Sequence, residues 1–318
     1  MLDDDALLAA LDPECVPALL RIPPLECSDD PVEMRSTSHA VADCVPRPGP
    51  PPGVTVDVID AAGALPPLRV FRPEQPRRPE AAILWLHGGG LIAGAARYDD
   101  PICAGMAADH GCAVVSVEYR LAPETPYPGA LEDCLAAAHW AVGRCTAGRA
   151  GGLLVAGTSA GGGLAVALAL LARDRGIGSY AGLVLAYPML DDRSDSASMR
   201  RVTARRTWQR QANMVGWRSY LGDLDDVPIY AAPGRAAVDQ LRGLPPVHLD
   251  VGTLDAFLDE DVDFARRLAL ADVAVDLVVT PQAAHGSEYM NPRAPTSRLI
   301  LAARRAATER MLTSSRRS

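Results

Sequence analysis

Lysine is absent from this 318-residue chain, so all 31 of its basic residues are arginine. Catalysis by a lysine amine is thereby excluded, and so is a phosphate-binding loop of the G-x-x-x-x-G-K type. No C-x-x-C pair occurs among the seven cysteines, at 15, 27, 44, 103, 112, 134 and 145, and their number is odd. Neither a disulfide framework nor a zinc site is read from them. No basic stripe is present and the net charge is −8, which argues against nucleic acid as a partner. The opening Met1-Leu2-Asp3-Asp4-Asp5 lacks the basic start and apolar run of a secretory signal, so a cytoplasmic, reduced protein is expected.

One stretch lacks charge altogether. Ala150 to Ala172, flanked by Arg149 and Arg173, is long enough to cross a bilayer. Six of its residues are glycine, and Thr158-Ser159 sits in its middle. A buried strand, a turn and a buried helix explain that pattern better than a membrane span does.

The chain is 48% hydrophobic, enough for one large α/β domain with a sizeable core, or two small domains. Residues 1–50 read as an N-terminal arm: a short helix over Asp5–Leu11, then a proline-rich passage ending in Pro46-Arg47-Pro48-Gly49-Pro50-Pro51-Pro52. Its prolines argue against a strand or long helix there. Strands are expected over Val54–Ile59, Leu68–Phe71, Ala82–Leu86, Ala113–Glu118, Leu153–Ala156, Gly182–Ala186, Val247–Val251 and Ala274–Thr280. From residue 81 they are apolar runs without clean alternation, as in a parallel sheet covered on both faces. Helices are expected over Asp99–His110, Gly129–Arg144, Leu164–Arg173, Asp259–Ala271 and Ser297–Leu312. Alternation of this kind predicts a doubly wound α/β sheet. It breaks between Tyr187 and Leu244, where a polar stretch precedes Met214, Val215, Trp217, Tyr220 and Leu221 at helical spacing. An insertion there, about residues 190–222, is expected above the sheet, where with the N-terminal arm it makes a lid.

Within the uncharged stretch, Gly157-Thr158-Ser159-Ala160-Gly161 matches the G-x-S-x-G turn that lifts a serine hydroxyl off the end of a strand. Side chains at Gly157 and Gly161 would collide with the neighbouring helix and strand, and a helix starting after Ser159 points its amides at any oxyanion formed there. A serine needs an adjacent base, an orienting carboxylate and oxyanion donors. The donors fall to His87-Gly88-Gly89-Gly90, right after a strand: two of the amides of Gly88, Gly89 and Gly90, with that of Ala160. The carboxylate is Asp255, just past Val247–Val251, with Asp259 the lesser candidate because it suits a helix start. The base is His285, in the loop after the last strand and 30 residues beyond Asp255. The chain order Ser, Asp, His is that of the α/β-hydrolases.

These residues, with Glu118-Tyr119-Arg120-Leu121-Ala122-Pro123-Glu124, Tyr187-Pro188, Trp217-Arg218-Ser219-Tyr220-Leu221-Gly222, Gly243-Leu244-Pro245-Pro246 and Asp255 through Glu260, resemble the bacterial hormone-sensitive-lipase family, in its GTSAG branch. The resemblance covers about residues 54–292. It implies an α/β-hydrolase fold: a mostly parallel eight-stranded sheet with helices on both faces and a helical cap. It implies a carboxylic ester hydrolase acting on short- to medium-chain acyl esters through an acyl-enzyme, with no metal or cofactor. It further implies a homodimer paired through Ala274–Thr280. Trp208, Met214 and Trp217 are candidates for the substrate pocket, against the alternative that they anchor the insertion to the core. Ser287 stands where the family usually has an aromatic, which implies a pocket wall more open or more polar. Amide or lactone hydrolysis by the same triad, or a ligand-binding member without catalysis, are the alternatives.

Overall fold

The computed structural model describes residues 1–24, 28–43 and 48–314. Cys27, Cys44 and the start of the proline run at Pro46 lie outside the described residues. Three helices open the chain: α1 (Asp4–Ala10), α2 (Val16–Leu19) and α3 (Pro31–Asp43). Strands β1 (Val54–Ile59) and β2 (Leu68–Pro73) follow. Then β3 (Ala82–Leu86), α4 (Asp100–His110), β4 (Ala113–Val117), α5 (Gly129–Cys145), β5 (Leu153–Thr158), α6 (Ala160–Asp174) and β6 (Gly182–Ala186) alternate. Helices α7 (Ala197–Arg201) and α8 (Arg210–Leu221) interrupt the alternation. It resumes with β7 (Val247–Gly252), α9 (Leu258–Leu270), β8 (Val275–Thr280), α10 (Ser287–Met290) and α11 (Pro295–Ser314).

The strands form one eight-stranded sheet in the order β1-β2-β4-β3-β5-β6-β7-β8. β2 runs antiparallel to β1 and β4, and every other pairing is parallel. The missing polar alternation has a direct cause. Leu84 and Leu86 of β3 belong to one core cluster with Ala137 of α5, Leu168 of α6 and Phe264 of α9. Ile83 and Trp85 belong to a second cluster with Ala104 and Ala107 of α4 and Met311 and Leu312 of α11. Both faces of β3 are dry, so neither shows the polar positions of a solvated strand; each large side chain buried this way contributes about 1.5–3 kcal/mol.

The 13-residue α3 corrects the expectation that the prolines of the arm rule out a long helix. Pro31 occupies its first position, where a missing N–H costs nothing, and no proline interrupts it afterwards. The opening segment lies against the insertion between β6 and β7. Leu2 donates its amide to Arg201 O at 2.8 Å, and Asp4 Oδ1 accepts from the amide of Arg205 at 2.8 Å. β4 and β5 lie on opposite sides of β3, so the chain leaves β3 in both directions. Ligands of such sheets collect at the carboxyl ends of the strands beside that point. No helix among the described residues is long and apolar enough to cross a membrane; the uncharged stretch is β5, a turn and α6.

Candidate active site

Ser159 follows β5 and is the N-cap of α6, with φ +52° and ψ −119°. A non-glycine residue held there is strained by about 1–3 kcal/mol, so the surroundings must fix it. They do so through hydrogen bonds: the Ser159 amide donates to Ala186 O at 2.9 Å, and the Ser159 carbonyl accepts from Gly163 and Met189 at 3.1 and 2.9 Å. A Cβ on Gly157 would collide with the backbone of Gly161, and one on Gly161 would collide with the carbonyls of Leu86 and His87. Helix α6 therefore takes in Gly161-Gly162-Gly163, four residues earlier than helix propensity suggests.

His285 and Asp255 come to this hydroxyl from separate loops. His285 Nε2 lies 3.1 Å from Ser159 Oγ. Its Nδ1 lies 2.9 Å from Asp255 Oδ2, which fixes the tautomer, because a carboxylate can only accept. Asp255 is fully buried, and its second oxygen accepts from the Phe257 amide at 3.0 Å. Two rings bracket the imidazole: Tyr187 at 4.4 Å, tilted by 56°, and Phe257 edge-on at 5.3 Å. A hydroxyl beside a base that is itself oriented by a carboxylate is the geometry of an activated nucleophile.

The loop His87–Gly90 leaves β3 beside this line. A Cβ on Gly88 would sit 3.4 Å from Ser159 Cβ. Gly89 and Gly90 have φ of +123° and +61°, values that glycine reaches without strain. The amides of Gly89, Gly90 and Ala160 donate to no acceptor among the described residues. His87 is locked behind the loop. Its ring stacks on Tyr119 at 4.1 Å, the Tyr119 hydroxyl donates to His87 O at 2.7 Å, and Nδ1 lies 2.7 Å from Gly88 O. Burial pushes its pKa down to about 4, so the ring is neutral and Nδ1–H donates to that carbonyl.

Asp259, the lesser candidate, Asp250 and the other histidines have different surroundings. Asp259 ties α9 to α7, accepting from the Ser198 amide at 2.7 Å. Asp250 is fully buried in a bidentate pair with Arg304, both contacts at 2.7 Å. His39 lies 3.1 Å from Gly94 O, His110 pairs with Glu309, His248 is buried in β7, and His139 is exposed on α5.

The three large apolar residues of the insertion separate. Trp208 lies against Gly90, where a Cβ on the glycine would enter the indole. Trp217 is buried beside Tyr220. Met214 is 46% exposed. Ser287 departs from the open or polar pocket wall that its position suggested. It is fully buried and clasps the loop of His285, its Oγ accepting from the Ala284 amide at 2.8 Å and donating to Ala284 O at 2.9 Å. Sequence reasoning missed the group behind His285. Tyr187 donates its hydroxyl to Glu288 Oε1 at 2.6 Å, and Arg304 Nη1 donates to the same oxygen at 2.6 Å. Glu288, three residues after His285, was the one available signal. Among the described residues no cluster of His, Cys, Asp and Glu is placed to hold a metal.

Comparison with known proteins agrees with this fold. Residues 83–288 match the family model described as the alpha/beta hydrolase fold. The chain is 33% identical to the esterase LipI of Mycobacterium tuberculosis, over 87% of this chain and 88% of that one. It is 39% identical to human hormone-sensitive lipase over 119 residues, which are 37% of this chain and 11% of the lipase. A bacterial heroin esterase superposes with a TM-score of 0.86 and 35% identity, over 96% of this chain and 99% of the other.

Proposed function

The chain belongs to the hormone-sensitive-lipase family of α/β-hydrolase-fold esterases and is a serine carboxylester hydrolase; we propose that Ser159 is its nucleophile, His285 its base and Asp255 the carboxylate that orients the base. The observation that carries this reading is the hydrogen-bonded line Ser159–His285–Asp255.

In this mechanism Ser159 Oγ attacks the ester carbonyl as His285 Nε2 takes its proton. Asp255 holds Nδ1–H and stabilises the imidazolium that forms. The developing oxyanion is met by the amide of Ala160 and by two of the amides of the Gly88-Gly89-Gly90 loop. Such donors are each worth about 10²–10³ in turnover. His285 then returns its proton to the departing alcohol, leaving an acyl-enzyme. Water, activated by the same imidazole, releases the acid.

Small acyl groups suit the site best, because the Trp208 indole stands directly against Gly90. Residues 1–50 and the insertion at about 190–222 serve as the cover. Two copies pair through β8, a sheet edge where Leu277 and Val279 are each 39% exposed. A panel of nitrophenyl esters graded in acyl length tests the substrate class. Highest kcat/KM on short chains is expected; a preference for long chains, or turnover of amides with none of esters, overturns it.

A further inference from the structure

Helix α8 touches the oxyanion loop directly. At Gly216 an added Cβ would lie 2.5 Å from the carbonyl oxygen of Gly90. Two residues of the insertion therefore bear on one glycine: Gly216 on its carbonyl, and Trp208 on its α-carbon face. Trp208 is not loose there. Its Nε1 donates to Asn213 Oδ1 at 3.0 Å, and Asn213 Nδ2 donates to Ser194 Oγ at 2.9 Å. Asn213 is fully buried and Ser194 nearly so, so both sit where an unmade hydrogen bond costs about 1–3 kcal/mol. The indole is thus pinned by a buried relay that starts on the same helix.

A peptide is planar, so holding the Gly90 oxygen fixes the Gly90–Leu91 unit; the Gly90 amide belongs to the preceding unit and is held to it through the α-carbon that the two share. Gly90 has φ +61°, a conformation no side chain of its own enforces. Something outside the loop must hold it. α3 steadies the following residues, with Arg35 Nε donating to Ile92 O at 2.6 Å, but it does not reach Gly90. Only the insertion does so among the contacts described above.

The geometry points to Gly216 as a positioning residue: through Gly90 it aims the oxyanion amides, so α8 is part of the catalytic apparatus as well as a cover over the substrate. This deepens, and rests on, the assignment of Ser159 and the glycine loop. Gly216→Ala forces the helix and Gly90 apart. Transition-state charge is then met less well while ground-state binding is little affected.

The test compares Gly216→Ala with Gly143→Ala, a helical glycine whose added Cβ meets nothing within 4 Å. Both are read on a short-chain nitrophenyl ester, with melting temperatures alongside. Gly216→Ala is expected to lose about 10- to 100-fold in kcat, with KM within about threefold, while Gly143→Ala keeps both. Its rate of phosphonylation by a nitrophenyl phosphonate should fall in step with kcat, since the phosphoryl oxygen occupies the same hole. An unchanged kcat, or a raised KM at constant kcat, overturns the proposal. Should Gly216→Ala fail to fold, Asn213→Ala, which frees the indole without crowding the helix, decides by the same split. If Ser159→Ala retains activity, the underlying assignment fails instead, a different result from an active wild type with an indifferent Gly216→Ala.

Discussion

Tyr187 packs its ring 4.4 Å from that of His285 and donates a hydrogen bond from its hydroxyl to Glu288, three residues past His285, at 2.6 Å. One side chain thus braces the imidazole by its face and the imidazole's loop by its tip. Arg304 completes the brace, joining Glu288 to Asp250 of β7. Removing the hydroxyl alone keeps the face and cuts the tie. Tyr187→Phe is expected to lower the unfolding free energy by about 1.5–3 kcal/mol, the range for a hydrogen bond to a charged partner, while most of kcat survives. Urea melts and initial rates on one preparation check it; an unchanged melt contradicts the brace.

Ser287 gives a second expectation. It is fully buried with its hydroxyl spent on both backbone groups of Ala284. Ser287→Phe, which places the family's usual aromatic there, overpacks the loop by more than the about 1–3 kcal/mol typical of such changes. Activity should fall on all esters in parallel, with a lower melting temperature. A stable variant with a shifted acyl-length profile would return Ser287 to the pocket wall.

Asp261 sets a pH dependence. Its carboxyl is fully buried with no hydrogen-bond partner for either oxygen. Burial, then the charges of Glu260 and Asp255, push its pKa well above the ordinary value. The folded state therefore binds this proton more tightly than the unfolded chain. The group's contribution to stability is complete below the unfolded pKa of about 3.9 and is lost as pH rises through the folded value. Asp261→Asn should raise the melting temperature at pH 8, with the gain shrinking as pH falls toward about 4. A lower melting temperature at both ends would mean that the fold uses the charge.

The positions of the strands along the chain, and the three residues that the structure brings into one line, were legible because they are local events: apolar runs bounded by turns, and motifs that must end a strand. Ser159, Asp255 and His285 each follow one. What the sequence concealed is long-range. Arg304 and Asp250 lie 54 positions apart, and nothing in either neighbourhood marks the pair. Helix α3 was hidden by prolines that lie before it, at its first position or past its end, where they do not oppose it. Ser287 misled because an exchange of an aromatic for a hydroxyl reads as a change of wall, whereas here the hydroxyl turns inward.

The nucleophile is the claim on which the rest depends. Its most direct test is kcat/KM of Ser159→Ala on a short-chain nitrophenyl ester, with the fold verified by its melting curve. The account predicts a folded protein whose turnover is lower by on the order of 10³-fold or more. Near-normal activity in that variant would contradict it.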